Sequence, residues 1–139
     1  MKTTTGRTLK RLREMGWDAA VVERYLAVCR VRQDMFGFAD VLAFSEDRVL
    51  AVQTTTQANF AAHKPKIEAL LVARRWVASD LRALELWGWA KRGERGKRKL
   101  WTVRRERFFW TERSGAFWEV VSDIQNNQTD FKTSEGASR

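Results

Sequence analysis

The stretch VLAVQTTT, Val49 to Thr56, decides how the chain is read. Apolar residues lead into Gln53 and then into three threonines. A second apolar run, FGFADVLAF (Phe36–Phe44), precedes it, and only Ser45-Glu46-Asp47-Arg48 separates the two. That arrangement predicts a β-hairpin with a four-residue loop. Apart from Asp40, Gln53 and the threonines, both runs are apolar on each face. Strands of that kind belong in the middle of a sheet covered on both sides. Pairing across the loop sets Phe44 opposite Val49, Leu42 opposite Ala51 and Asp40 opposite Gln53. Cross-strand neighbours have Cβ atoms about 5 Å apart. Residues two apart share a face, which puts Thr55 beside Gln53 on the Asp40 side. The hairpin thus gathers a carboxylate, an amide and a hydroxyl at its open end, and a one-residue slip of register would undo the cluster.

Working outward, Leu9, Leu12 and Met15 recur every three residues and predict a helix over Thr8–Met15 that stops at Gly16. Residues 1–7 are expected to be loose. Ala19–Val28 is rich in β-branched and apolar residues and reads as a strand. After the hairpin, Gln57–Ala78 reads as a short turn followed by a main helix from about Pro65, because proline suits a first turn. Leu81–Ala90 and Lys99–Trp110 read as two further strands joined by a basic, glycine-bearing loop. The expected fold class is α/β (α+β) with αβββαββ order, a mixed central sheet of about five strands flanked by helices. One domain is expected over residues 1–121. The polar stretch 122–139 is expected to be a disordered or peripheral tail.

The whole sequence, 139 residues with 44% apolar and 31% charged, is globular in composition and long enough to bury a core. The single cysteine, Cys29, excludes an internal disulfide framework. MKTTTGRTLKRLREMG has no apolar h-region and no run reaches membrane-spanning length, so the expected location is the cytoplasm of the host cell, with no membrane contact. The net charge of +9 favours a polyanionic partner, and nucleic acid is the usual one. Ten Lys and Arg residues lie between Lys91 and Arg113, against Glu94, Glu106 and Glu112. Lys91, Arg92, Arg95, Lys97, Arg98 and Lys99 crowd the tip of the last hairpin, where they could follow a phosphate backbone. Seven tryptophans are present, of which Trp87, Trp89 and Trp101 read as core. Phe108-Phe109-Trp110 and Phe117-Trp118 leave one side for a partner surface.

The cluster at the hairpin end has a chemistry of its own. A carboxylate and an amide carbonyl are hard oxygen ligands suited to Mg²⁺ or Mn²⁺. A metal there could activate water and stabilise charge on a scissile phosphate. One carboxylate is a poor site, and Glu23 on the preceding predicted strand is the candidate second ligand.

With these residues the sequence resembles the PD-(D/E)XK nuclease superfamily over roughly Thr8 to Trp110. Gly37-Phe38-Ala39-Asp40 matches the "PD" element and Val52-Gln53-Thr54-Thr55 the "(E/Q)xK" element. The general flavour is similar to small phage proteins of the VRR-NUC or Holliday-junction-resolvase type. The resemblance implies a restriction-endonuclease-like fold and a metal-dependent DNA endonuclease, with Asp40 and Gln53 as Mg²⁺ ligands. It also implies a homodimer, since relatives that resolve branched DNA are dimers. The family's lysine is missing, because Thr55 stands in its place. Lys64 or Lys66, early in the next helix, could replace it, and His63 and Asn59 share that segment. The alternative is a nuclease fold with a degenerate site that binds nucleic acid or a protein partner without cutting, such as a phage inhibitor. Each site residue also has an ordinary structural use. Asp40 can be satisfied by backbone N–H groups, and the threonines can cap the following helix.

Overall fold

A computed structural model describes residues 3–122. In chain order the elements are α1 (Thr4–Glu14), β1 (Asp18–Val21), β2 (Arg24–Leu26), β3 (Val31–Gln33), β4 (Val41–Phe44) and β5 (Val49–Thr56). A 3-10 turn (Gln57–Asn59) follows, then α2 (Phe60–Glu68), α3 (Leu71–Trp76), β6 (Arg82–Arg92), β7 (Leu100–Thr111) and β8 (Gly115–Val120). Six strands form one mixed sheet in the order β1-β4-β5-β6-β7-β8. Only β5 and β6 run parallel, and α2 and α3 make the crossover between them. The remaining neighbours are antiparallel. The class is therefore α+β, with a six-stranded mixed sheet.

The period-two pattern of the central strands divides the core in two. Leu50 and Val52 on β5, Val41 and Ala43 on β4, and Trp87 and Trp89 on β6 bury one face against Leu12 of α1 and Trp17. Ala51, Leu84, Leu86 and Phe108 bury the other against Phe60 and Ile67 of α2 and Ala73 of α3. A strand must be apolar on both faces to sit between two helical layers. Gly88 permits the close seating of α2, because an added Cβ there would lie 2.6 Å from the Phe60 ring.

Several boundaries differ from the sequence reading. The hairpin register is as expected for Phe44 with Val49 and Leu42 with Ala51, but the ladder ends at Val41–Val52, one pair before Asp40. Phe36 to Ala39 do not extend β4. The chain turns there, with Phe36 at φ 57° and Gly37 at φ 83°. The expected strand Ala19–Val28 is two pieces. β1 leaves the sheet after Val21, and β2 pairs instead with β3 in a separate small hairpin. The first turn of α1 includes Thr4 and Thr5, residues expected to be loose, and Thr3 caps it by accepting the Gly6 N–H at 3.0 Å. Pro65 lies inside α2 rather than starting a helix. The carbonyl it leaves without a partner belongs to exposed Ala61. Leu70, in extended geometry, then separates α2 from α3. Strand β8 takes the main sheet to six strands, against the five or so expected. Trp101, expected in the core, is 40% exposed and lies under the Arg7 guanidinium. The tail from 123 to 139 falls outside the described residues. Among the described residues no helix is long and apolar enough to cross a membrane.

The α1 side of the sheet also buries charge. Glu85 on β6 is fully buried and accepts hydrogen bonds from Arg105 and Arg107 on β7 and from the Trp87 indole. Burial alone would raise its carboxyl, but the two arginines outweigh that and hold it at about 2. Removing one partner of a buried pair strands the other, at a cost of about 3–5 kcal/mol. Glu85→Gln is thus expected to lower the unfolding free energy by about that amount in urea titrations. Because the folded value lies below the ordinary 4.5, the stabilisation from Glu85 is complete above that pH and is lost as pH falls towards 2. Acid titration of the wild type and Glu85→Gln should show this difference shrinking across that window.

Candidate metal centre and the cleft around it

The site is assembled where β1 and β4 part from the sheet ladder. Asp40 precedes β4, and its backbone is held on both sides. Its N–H donates to Val52 at 2.9 Å, and its carbonyl accepts from Val22 and Glu23 at 2.8 and 3.2 Å. Its carboxylate accepts the Thr54 N–H at 2.8 Å. Those bonds carry Glu23, two residues after β1, to the same place. Asp34 arrives from the far side of the small hairpin. Glu23 immediately precedes β2 and Asp34 immediately follows β3, so the hairpin base brings both in.

Glu23, Asp34 and Asp40 each offer a carboxylate oxygen, and those oxygens all lie within 4.8 Å of one another. Gln53 is buried beside them and donates its amide N–H to Asp34 at 2.7 Å, which leaves its carbonyl oxygen available as an acceptor. Thr5 donates its hydroxyl to Glu23 at 3.0 Å, and its oxygen lies 3.1 Å from that of Thr54. A chain of side chains therefore links Asp40, Thr54, Thr5 and Glu23 and ties the first turn of α1 to the carboxylates. These groups line an open cleft of about 340 Å³ together with Thr3, Thr4, Arg32 and His63.

Three carboxylates so close repel one another. Burial pushes the Asp40 carboxyl up first, and a shared hydrogen bond with Asp34 adds to this. The charges of Asp34 and Glu23 act the same way, and against the Thr54 N–H they bring it to about 9. Asp40 is therefore protonated near neutral pH, which relieves part of the repulsion. A divalent cation would relieve it too. The donor set fits such an ion, since all the donors are hard oxygens, and octahedral Mg²⁺ at about 2.1 Å places its ligands roughly 3–4 Å apart.

The structure brings together Asp40, Gln53 and Glu23. It places the other candidates elsewhere. Thr55 is buried and is not part of the cleft lining, and its neighbour Thr54 makes the contact with Asp40. Lys64 points to β7, where it and Arg104 pair with Glu106. Burial raises the Glu106 carboxyl, and these cations more than reverse that. Lys66 is exposed on α2 and is not part of the lining. His63 does line the cleft. Its Nδ1 lies 2.9 Å from the Asn59 carbonyl, which can only accept, so Nδ1 carries a proton. Thr56 caps the 3-10 turn through the Asn59 N–H, the ordinary helix-capping use expected of these threonines.

Asp34 and Arg32 were missed in the sequence. Their signal is faint. Glu23 and Asp34 bracket RYLAVCRVRQ, a ten-residue stretch whose turn carries no glycine or asparagine to mark it. The six expected nucleic-acid contacts, Lys91, Arg92, Arg95, Lys97, Arg98 and Lys99, are all exposed at the β6–β7 tip. Arg92 also bonds Gln57 there, and Lys97 pairs with Glu94. Comparison with protein-family models, curated proteins and solved structures finds no match to this chain.

The carboxylate crowding has a measurable consequence. The folded value of Asp40 lies above its ordinary 3.8, so this group's contribution is greatest below that pH and declines as pH rises towards 9. Asparagine mimics the protonated acid: its oxygen can accept from Thr54 while its N–H donates to Asp34. In chelator, Asp40→Asn is expected to melt several degrees above wild type at pH 8, with the gap closing towards pH 4. Thermal melts across that range check it.

Proposed function

We propose that the chain is a metal-dependent DNA endonuclease of the PD-(D/E)XK type. The reading is supported by one observation above all: three carboxylates from separate segments meet beside a glutamine amide in an open cleft. Proteins seldom crowd three carboxylates, one of them buried, without a use, because their repulsion costs stability. Asp40, Asp34 and Glu23, with the Gln53 carbonyl, would hold Mg²⁺ or Mn²⁺. Such an ion supplies a nucleophilic water at neutral pH and neutralises charge on a phosphate. The chain's own residues do the rest. The first turn of α1 presents Thr3, Thr4 and Thr5 to the cleft, and the start of a helix favours negative charge. The exposed basic tip of β6–β7 would grip the backbone away from the reacting phosphate. The order of elements around the β4–β5 hairpin supports the finer assignment to a restriction-endonuclease-like fold.

A second reading is favoured by Thr55 and Lys64. No lysine stands at the family position, and Lys64 is committed to Glu106. On that reading the protein binds nucleic acid or a protein partner without cutting. A cleavage assay on linear, single-stranded and four-way-branched DNA with Mg²⁺ or Mn²⁺ separates the two. Losing even a group behind a metal ligand costs about 10–100-fold, so Asp40→Ala is expected to reduce cutting by at least that factor while salt-sensitive DNA binding survives. No metal-dependent cutting by wild type, with DNA still bound at low salt, would leave the binding module as the answer.

A further inference from the structure

The geometry points to Arg32 as the cation that contacts the scissile phosphate, in a site where Thr55 stands in place of the family's lysine. This inference rests on the nuclease reading above. Arg32 is on β3, two residues before Asp34, and its side chain forms part of the cleft wall. Among the described residues it is the one lysine or arginine in that lining. Lys64 and Lys66 are absent from it.

Its present bonding leaves it available. Arg32 Nη1 donates to Glu23 Oε1 at 3.1 Å, while the rest of the side chain is open to solvent, at 64% exposure. Guanidinium carries five N–H donors in a planar fork that matches the oxygens of a phosphate. Glu23, by contrast, is 11% exposed and is also anchored by Thr5. Of this pair, the arginine is the member free to move. A cation held by the carboxylates would take over the neutralisation of Glu23, and the guanidinium could then turn to a phosphate lying in the cleft. The hairpin that carries it favours the same ligand. Residues 24–33 hold Arg24, Arg30 and Arg32 and no acid, and nearly all of them are exposed.

The step it would assist is simple hydrolysis. Water oxygen bonds to phosphorus as the bond from phosphorus to one sugar oxygen breaks. The water gives up a proton to solvent, and the departing oxygen takes one back. Arg32 exchanges no proton. It stabilises charge on the non-bridging oxygens as that charge grows.

The test pairs metal binding with turnover in the full chain. Mn²⁺ binding is measured by calorimetry for wild type, Arg32→Ala, Arg32→Lys and Asp40→Asn. Single-turnover cleavage of a labelled four-way DNA junction and a linear duplex is measured at saturating Mn²⁺. Arg32→Ala is expected to bind Mn²⁺ as tightly as wild type or more so, because Glu23 loses a competitor. Its cleavage rate is expected to fall about 10²–10³-fold, the effect of removing one such donor. Arg32→Lys should recover part of the rate, since it keeps the charge but not the fork. If Arg32→Ala cuts at the wild-type rate once metal is saturating, Arg32 is only a counter-ion to Glu23 and the inference is overturned. If the wild type binds no Mn²⁺ and cuts neither DNA, the nuclease reading fails and takes the role of Arg32 with it. Melting curves guard against misfolding, with Arg32→Lys as the milder variant.

Discussion

The bonding of Asp40 is the constraint on which the rest of the site depends. One residue joins three strands. Its N–H holds β5, its carbonyl holds the two residues after β1, and its carboxylate holds the Thr54 N–H. With both backbone groups committed and the carboxylate itself bonded to the Thr54 N–H, the residue has little freedom to turn its carboxyl away from Glu23 and Asp34. The repulsion that results is built in by these bonds together. It persists because the two core layers on either side of the sheet supply the stability that the acids withhold.

Two groups of buried charge show how the fold handles ions differently by location. Glu85 meets two arginines on the neighbouring strand and is held ionised inside the α1 layer. Asp40 meets other acids and is held neutral at the edge of a cleft. In the first arrangement the carboxylate is met by the protein's own cations. The second is incomplete in charge, with Arg32, on an exposed strand, the one lysine or arginine in its lining among the described residues. A structural ion pair and a binding site are thus told apart by whether the protein closes its own electrostatics.

The hairpin was legible because its signals are local. A four-residue loop and period-two alternation set the register of Val49 and Ala51, and that placed Asp40 and Gln53 at one end. The small β2–β3 hairpin was not legible. Its strands are three residues each, exposed, and joined by a turn without the usual residues, so Ala19–Val28 resembled one continuous strand. The split of the helix after β5 was likewise hidden, since the Leu70 break carries no glycine or proline of its own.

The sequence by itself determined the central hairpin, the apolar strands covered on both faces, the basic tip at Lys91–Lys99, and the placing of Asp40 and Gln53 at one end of the hairpin. All of these follow from spacing within a few residues. Only the tertiary structure decided which acids join Asp40, that Thr54 rather than Thr55 contacts it, and that Lys64 serves Glu106 on β7. Those outcomes depend on where the chain leaves the sheet and which distant strand it then meets. Long-range hydrogen bonds and packing settle them, and no local pattern records these.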